Sequence, residues 1–175
     1  MYIYFYNPLA TKIVKYLPEN LAPNLITLFG FIFASLPFFV LFSNFGTKLE
    51  NDPDKNIARW FFFLEAFCYL MYRIFYELDG KQARKTSSSS PLGLLFDHGC
   101  DSFSIGFQML ILAKCLQVGD NFTAVLTCCS GAASFHFSTL EEYYTGGLFL
   151  GICNGVSDGS FLIIFLYLVM GCFGN

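Results

Sequence analysis

Residues 79–102 read DGKQARKTSSSSPLGLLFDHGCDS, and this polar stretch stands between two long apolar segments. It carries Asp79 at its start and Asp97 and Asp101 near its end. Because Asp97 and Asp101 are four residues apart in a segment predicted to be helical, both carboxylates project from one face. Carboxylates that crowd together repel each other unless a cation lies between them. The stretch therefore predicts a cation site.

The composition of the whole chain indicates that this site lies in a membrane protein. Of the 175 residues, 55% are hydrophobic and 13% are charged, whereas soluble domains carry about 25% charged residues. Too little polar surface remains to cover a globule in water, so we expect lipid to cover much of it. The net charge of −3 provides no basic surface, and we expect no nucleic acid partner.

Apolar segments long enough to cross a bilayer, which takes roughly 20 residues as a helix, recur along the chain. Five transmembrane helices are predicted, at residues 25–45, 57–78, 92–116, 122–140 and, shorter, 159–173. Residues 8–17 are predicted to form a short amphipathic helix at the membrane surface. Residues 79–91 are predicted to form a polar loop, with Asp79 ending the preceding helix.

The predicted fold is therefore all-α, a polytopic membrane bundle of about five transmembrane helices with a short N-terminal interfacial helix. We expect a single domain over residues 1–175. Residues 1–24 form its interfacial segment and residues 25–175 its helix bundle.

The residue types around the aspartates favour phosphate chemistry with a hard cation. Ligands that are all oxygen suit Mg²⁺ or Mn²⁺ rather than zinc. Gly80, Ala83 and Gly93 are small, which lets a phosphate or another backbone approach closely. Arg84 offers a planar fork of donors for phosphate oxygens. The alternative is that the acids only pair with neighbouring basic side chains at the lipid headgroup boundary.

The spacing of these residues resembles the signature of the CDP-alcohol phosphotransferase family. Seven positions match in the string DG-x₂-AR-x₈-G-x₃-D-x₃-D, which runs from Asp79 to Asp101. The stretch is particularly similar to that of the eukaryotic choline/ethanolamine phosphotransferases. The segment APNLIT at residues 22–27 also resembles theirs at the first span. The resemblance covers about residues 20–160.

The resemblance implies roles for eight residues. Asp79, Asp97 and Asp101 are implied metal ligands, and Asp101 is also the implied catalytic base that takes a proton from the acceptor hydroxyl. The implied substrate-binding residues are Asn24, Gly80, Ala83, Arg84 and Gly93. Mg²⁺ or Mn²⁺ is the implied cofactor. The implied substrates are a CDP-alcohol (CDP-choline or CDP-ethanolamine) and diacylglycerol, with release of CMP, and membrane lipid, including bound phospholipid, is the other expected partner.

Two departures from the family pattern leave a second function open. The family's first aspartate lies three residues before Asp79, where this chain has Tyr76. The adjacent Glu77 is a carboxylate, but on a helix its side chain points about 100° away from the direction of position 76. The chain also offers five spans where the family core has six, so we expect it to be C-terminally short.

Three alternatives follow, the third being that the chain is a fragment of a longer enzyme. The first is an active Mg-dependent phosphotransferase of phospholipid synthesis, in the endoplasmic reticulum or Golgi membrane and working as a homodimer. The second is a catalytically degenerate member that serves as a structural or lipid-binding subunit of a larger membrane complex, for example in the mitochondrial inner membrane.

Charged and aromatic residues outside the motif supply further candidates. A cluster after the fourth span consists of Glu141, Glu142, Tyr143 and Tyr144. It fits either an ammonium head-group site or an aromatic belt at the membrane interface. Glu65 and Arg73 lie within the second span and fit pairing with other helices or subunits. His98 follows Asp97 but points off the face shared by the two aspartates.

Overall fold

The computed structural model describes residues 2–50, 56–146 and 158–174. Across these residues the chain is helical and contains no strand. After a π-helical turn at Tyr2–Tyr6, the helices are α1 (Asn7–Tyr16), α2 (Pro23–Asn44), α3 (Arg59–Lys85), α4 (Pro91–Cys115), α5 (Phe122–Thr145) and α6 (Asp158–Phe173). The all-α prediction is confirmed, and each predicted span coincides with a helix.

Local sequence explains where several helices begin and end. Pro23 and Pro91 occupy the first turn of α2 and α4, where a helix needs no N–H from that residue. Ser90 caps α4, because its side chain accepts a hydrogen bond from the Gly93 N–H at 3.1 Å. α5 is followed by Gly146 with φ +73°, a left-handed conformation that suits glycine.

The predicted polar loop at residues 79–91 is wrong over its first half. α3 continues through Asp79 to Lys85, so the connection to α4 is only residues 86–90. Lysine, glutamine, alanine and arginine all favour helix, and their low hydropathy marks the end of the apolar segment rather than the end of the helix. Asp79 therefore lies inside a helix, one turn before Ala83.

The last turns of α3 are also held by contacts to α1 and the turn after it. Lys85 donates a hydrogen bond to the Leu17 carbonyl at 2.6 Å, just after α1 ends, where helical carbonyls lack partners. The buried Gln82 side chain donates to the Pro18 carbonyl at 2.9 Å. The predicted short N-terminal helix is thus confirmed, while its place at the membrane surface stays a prediction.

The main core lies where α2, α3, α4 and α6 meet. Its fully buried members include Leu41, Phe61, Ile111 and Tyr167, one from each of these helices. α5 packs against α4 and has Ala124 as its buried residue. The site described below therefore rests on the three helices with the most extensive packing, namely α2, α3 and α4.

The exposed surface is rich in large apolar side chains. Phe39, Phe103 and Phe165 are exposed on α2, α4 and α6, and such a surface suits lipid or another protein better than water. Of the described helices, α2 is the one that is long and apolar enough to cross a membrane by length and composition. α6 is apolar but has 16 residues. The count of five spans therefore stays a prediction.

Candidate functional site

Two adjoining cavities lie between α2, α3 and α4, close to the short connection at residues 86–90. The smaller has a volume of about 10 Å³, which is room for roughly one water molecule or ion. The larger has a volume of about 180 Å³. Thr27, Asp79 and Asp97 line both cavities, so the two share part of their wall.

The small cavity is lined by all three predicted aspartates. Asp79 and Asp101 are buried, and each accepts a hydrogen bond from a hydroxyl group on a neighbouring helix. Thr27 donates to Asp79 Oδ2 at 2.8 Å, and Tyr72 donates to Asp101 Oδ1 at 2.8 Å. Asp97 Oδ1 is buried and makes no hydrogen bond. The three carboxyl groups are thus brought together as the spacing predicted, and Asp97 Oδ1 is available to an occupant of the cavity.

Tyr76 forms part of the wall of the small cavity, at the position where the family pattern has its first aspartate. The Arg73 guanidinium lies over the Tyr76 ring, 4.5 Å from its centroid. Arg73 also bonds to Glu77 Oε1 at 3.3 Å. Because Glu77 lines neither cavity, it does not replace the missing carboxylate, as its helical position predicted.

Arg73 and Glu65 are also predicted to pair with other helices or subunits. Both side chains are buried inside the described bundle, with Arg73 3% exposed and Glu65 0% exposed. Arg73 pairs within α3 rather than across a subunit surface. Neither side chain therefore presents its charge to a partner.

The larger cavity is lined by all five predicted substrate-binding residues. These are Asn24, Gly80, Ala83, Arg84 and Gly93. Glycine suits position 93, since a Cβ there would lie in tight contact, 3.2 Å from Ser90 Oγ and 3.4 Å from Asn24 Oδ1. Of the three basic residues at 81–85, Arg84 lines the cavity, whereas Lys81 and Lys85 bond to α1 and the residue after it.

Several residues of the site were missed from the sequence. Thr27, Tyr72 and Ser104 line the small cavity, and Ser88 to Ser90 line the larger one. Helical spacing could have indicated two of them, because Tyr72 lies one turn before Tyr76 and Ser104 lies one turn after Asp101. The serine run is predicted as ordinary loop, and it joins the site because it lines the same cavity as Arg84.

The side chains of the small cavity fit a hard divalent cation that has other ligands as well. Within residues 2–50, 56–146 and 158–174, no three Asp, Glu, His or Cys side chains are arranged to hold a metal ion by themselves. Mg²⁺ in proteins is typically held by one or two carboxylates, with phosphate oxygens and water completing its shell. Asp97 with Asp79 or Asp101 would supply that number, and the site offers hydroxyl oxygens nearby.

The remaining candidates lie outside both cavities. His98 Nε2 is 3.4 Å from Glu142 Oε2, a contact that joins α4 to α5. His98 lines neither cavity, which agrees with its predicted direction off the face of the aspartates. Tyr143 and Tyr144 are 81% and 77% exposed and pack edge to face on each other. Ammonium recognition by these rings stays a prediction.

Comparison with known proteins identifies the family. The family model for CDP-alcohol phosphatidyltransferase matches residues 20–145. The chain belongs to this family. Its members are membrane-embedded enzymes of phospholipid synthesis that use CDP-alcohols and generally depend on divalent metal.

Individual relatives match almost the whole chain. An uncharacterized CDP-alcohol phosphatidyltransferase class-I family protein 3 from Dictyostelium discoideum is 39% identical over 93% of the chain and 40% of the relative. Choline/ethanolaminephosphotransferase 1 from Arabidopsis thaliana is 37% identical over 91% of the chain and 39% of the relative. Cholinephosphotransferase 1 from Saccharomyces cerevisiae is 32% identical over 95% of the chain and 41% of the relative. The chain thus spans about two fifths of the length of these relatives.

Proposed function

We propose that the chain transfers a phospho-aminoalcohol from CDP-choline or CDP-ethanolamine to diacylglycerol and releases CMP. The observation that carries this proposal is the meeting of all eight motif-derived residues in two adjoining cavities. Relatives that match more than nine tenths of the chain are named as phosphotransferases for these aminoalcohols, which supports the same substrate class.

The larger cavity suits the diphosphate of the CDP-alcohol. Arg84 brings a positive charge, and the hydroxyl groups of Ser88 and Ser89 bring further donors. The first turn of α4 adds N–H groups and the positive end of a helix dipole. Gly80 and Gly93 leave room for phosphate oxygens close to the backbone.

The small cavity suits the reacting end. Two phosphates beside three aspartates would repel them, so a cation is needed between the two groups. When bound, a divalent cation offsets the charge on the phosphate oxygens and aligns donor with acceptor. Asp97 with Asp79 or Asp101 would hold that ion, together with phosphate oxygens of the substrate.

The proposed reaction is an in-line displacement at phosphorus. The acceptor hydroxyl gives its proton to Asp101 while its oxygen forms a bond to the phosphorus that carries the aminoalcohol. The bond from that phosphorus to the CMP oxygen breaks, and CMP leaves with the electron pair. Asp101 is held for this role by Tyr72 and is 5% exposed, which limits competing water.

Transfer can be tested in microsomes from cells that express the chain and lack aminoalcohol phosphotransferases of their own. With labelled CDP-ethanolamine or CDP-choline, diacylglycerol and Mg²⁺, we expect labelled phospholipid. Asp101→Asn should lower the rate by about 100-fold or more, the usual contribution of a general base. Glu19→Gln changes an exposed acid outside both cavities and should keep the transfer rate of the unmodified chain. Unchanged transfer by Asp101→Asn would contradict the assigned role.

A second candidate function is favoured by Tyr76. A tyrosine in the wall of the small cavity removes one carboxylate from the family pattern, and the loss of a ligand would weaken ion binding. The chain would then be a structural or lipid-binding subunit of a larger membrane complex, in the mitochondrial inner membrane rather than the endoplasmic reticulum or Golgi. This candidate predicts stable co-purification with other membrane proteins and no CDP-dependent transfer, whereas purification as an active homodimer would exclude it.

A further inference from the structure

Ser104 behaves differently from most serine and threonine residues in the described helices. A serine or threonine inside a helix commonly bonds to a carbonyl three or four residues earlier. Ser102 does so to the Gly99 carbonyl at 2.8 Å, and Ser134 does so to the Ser130 carbonyl at 2.8 Å. Ser104 makes no such bond. Its side chain is 1% exposed, and its Oγ has no hydrogen-bond partner.

The surroundings of Ser104 indicate what would pair with this hydroxyl. Ser104 lines the small cavity together with Asp79, Asp97 and Asp101. It lies three residues after Asp101 on α4, so the two side chains share one face of the helix. Leaving a buried hydroxyl unpaired costs free energy, and the cavity beside it has room for one ion or water molecule.

The charge of the cavity favours one of these occupants. A water molecule would pair with the hydroxyl, but the repulsion among the three carboxylates would then have to be relieved by protonation. A divalent cation would relieve that repulsion and would also accept the lone pairs of a neutral hydroxyl oxygen. The buried, unpartnered Asp97 Oδ1 is a second oxygen available to the same ion.

We propose that Ser104 Oγ is a further ligand of the divalent cation in the small cavity. The inference rests on the proposed function, which puts the ion among the aspartates. It adds a metal-binding residue beyond Asp101, where the family signature ends. The hydroxyl coordinates through an oxygen lone pair and keeps its proton, so no bond is broken.

The test is a Mn²⁺ titration of the purified full chain in lipid nanodiscs, with free Mn²⁺ followed by electron paramagnetic resonance. Ser104→Ala should weaken binding by about tenfold or more, the scale seen when a metal site loses a supporting group. Ser102→Ala is the matched control on the same helix and should bind like the unmodified chain. Ser104→Cys should shift the preference from Mg²⁺ toward Cd²⁺, because a thiolate is a soft ligand.

Equal Mn²⁺ affinity in Ser104→Ala and the unmodified chain would overturn the inference, and so would equal losses in Ser104→Ala and Ser102→Ala. Folding is checked by thermal unfolding without added metal, where Ser104→Ala loses no hydrogen bond and should unfold no earlier than the unmodified chain. A loss of Mn²⁺ affinity in Ser104→Ala but not in Ser102→Ala supports the inference even if no CDP-alcohol transfer is found. In that case only the proposed function fails.

Discussion

Two buried tyrosines allow a direct test of how the carboxylate cluster is held. The Tyr72 hydroxyl donates to Asp101 Oδ1 at 2.8 Å. Tyr167 is fully buried, and its hydroxyl has no hydrogen-bond partner in the described part of the chain. Replacing either residue by phenylalanine removes one oxygen atom and leaves the ring in place. We expect the two substitutions to affect stability differently.

The expected magnitudes follow from what each oxygen contacts. A hydrogen bond to a charged group contributes about 1.5–3 kcal/mol net, and Asp101 is only 5% exposed to bulk water that could replace the Tyr72 donor. In a protein of this size each kcal/mol shifts Tm by about 2–4 °C. Tyr72→Phe should therefore lower Tm by roughly 3–12 °C. Tyr167→Phe removes a buried hydroxyl that lacks a partner, so its Tm should be unchanged or higher.

Unfolding can be followed in nanodiscs without added divalent ions, so that only the protein contacts are measured. A fluorescent thiol probe reports the exposure of the buried Cys68 and Cys115, after the exposed Cys129 and Cys172 have reacted. The same Tyr72→Phe protein should also transfer more slowly, because Asp101 loses its fixed orientation. An unchanged Tm for Tyr72→Phe, or equal losses at both tyrosines, would refute the reasoning.

Two further predictions separate ion binding, substrate binding and stability. Thr27→Val removes the 2.8 Å hydrogen bond to Asp79 Oδ2 and should weaken Mn²⁺ binding by about tenfold. Thr27→Ser keeps the hydroxyl and should keep the Mn²⁺ affinity of the unmodified chain. Equal affinities in the two variants would show that Asp79 does not need this donor. Arg84→Met should raise the KM for CDP-ethanolamine by at least about tenfold with little change in Tm. Lys85→Met, which loses the 2.6 Å hydrogen bond to the Leu17 carbonyl, should lower Tm and leave KM unchanged. A raised KM in Lys85→Met with an unchanged KM in Arg84→Met would contradict the assignment of Arg84 to the substrate cavity and of Lys85 to the contact with the Leu17 carbonyl.

Much of the candidate site could be predicted because its residues follow helical spacing. Asp97 and Asp101 share one face of α4 however that helix packs. The same geometry turns Glu77 away from Asp79, and the structure agrees. The family pattern then linked Asn24 on α2 to Arg84 and Gly93, and these residues line one cavity.

The end of α3 could not be predicted from hydropathy. Residues 81–85 are polar, which reads as a loop after an apolar span. They stay helical because their contacts lie with α1 and the turn after it, where Lys85 and Gln82 bond to carbonyls more than sixty positions away in sequence. Such contacts depend on how two helices approach each other and leave no local pattern in the chain.

The sequence by itself determines that the chain is all-α, that it belongs to the CDP-alcohol phosphatidyltransferase family, and that its aspartates share a helix face. Only the tertiary structure decides which neutral groups meet those aspartates. Thr27, Tyr72 and Ser104 come from three different helices, and their hydroxyls reach one cavity only when each helix has a particular rotation about its axis. That rotation is set by the apolar core between α2, α3, α4 and α6, whose close packing accepts few arrangements.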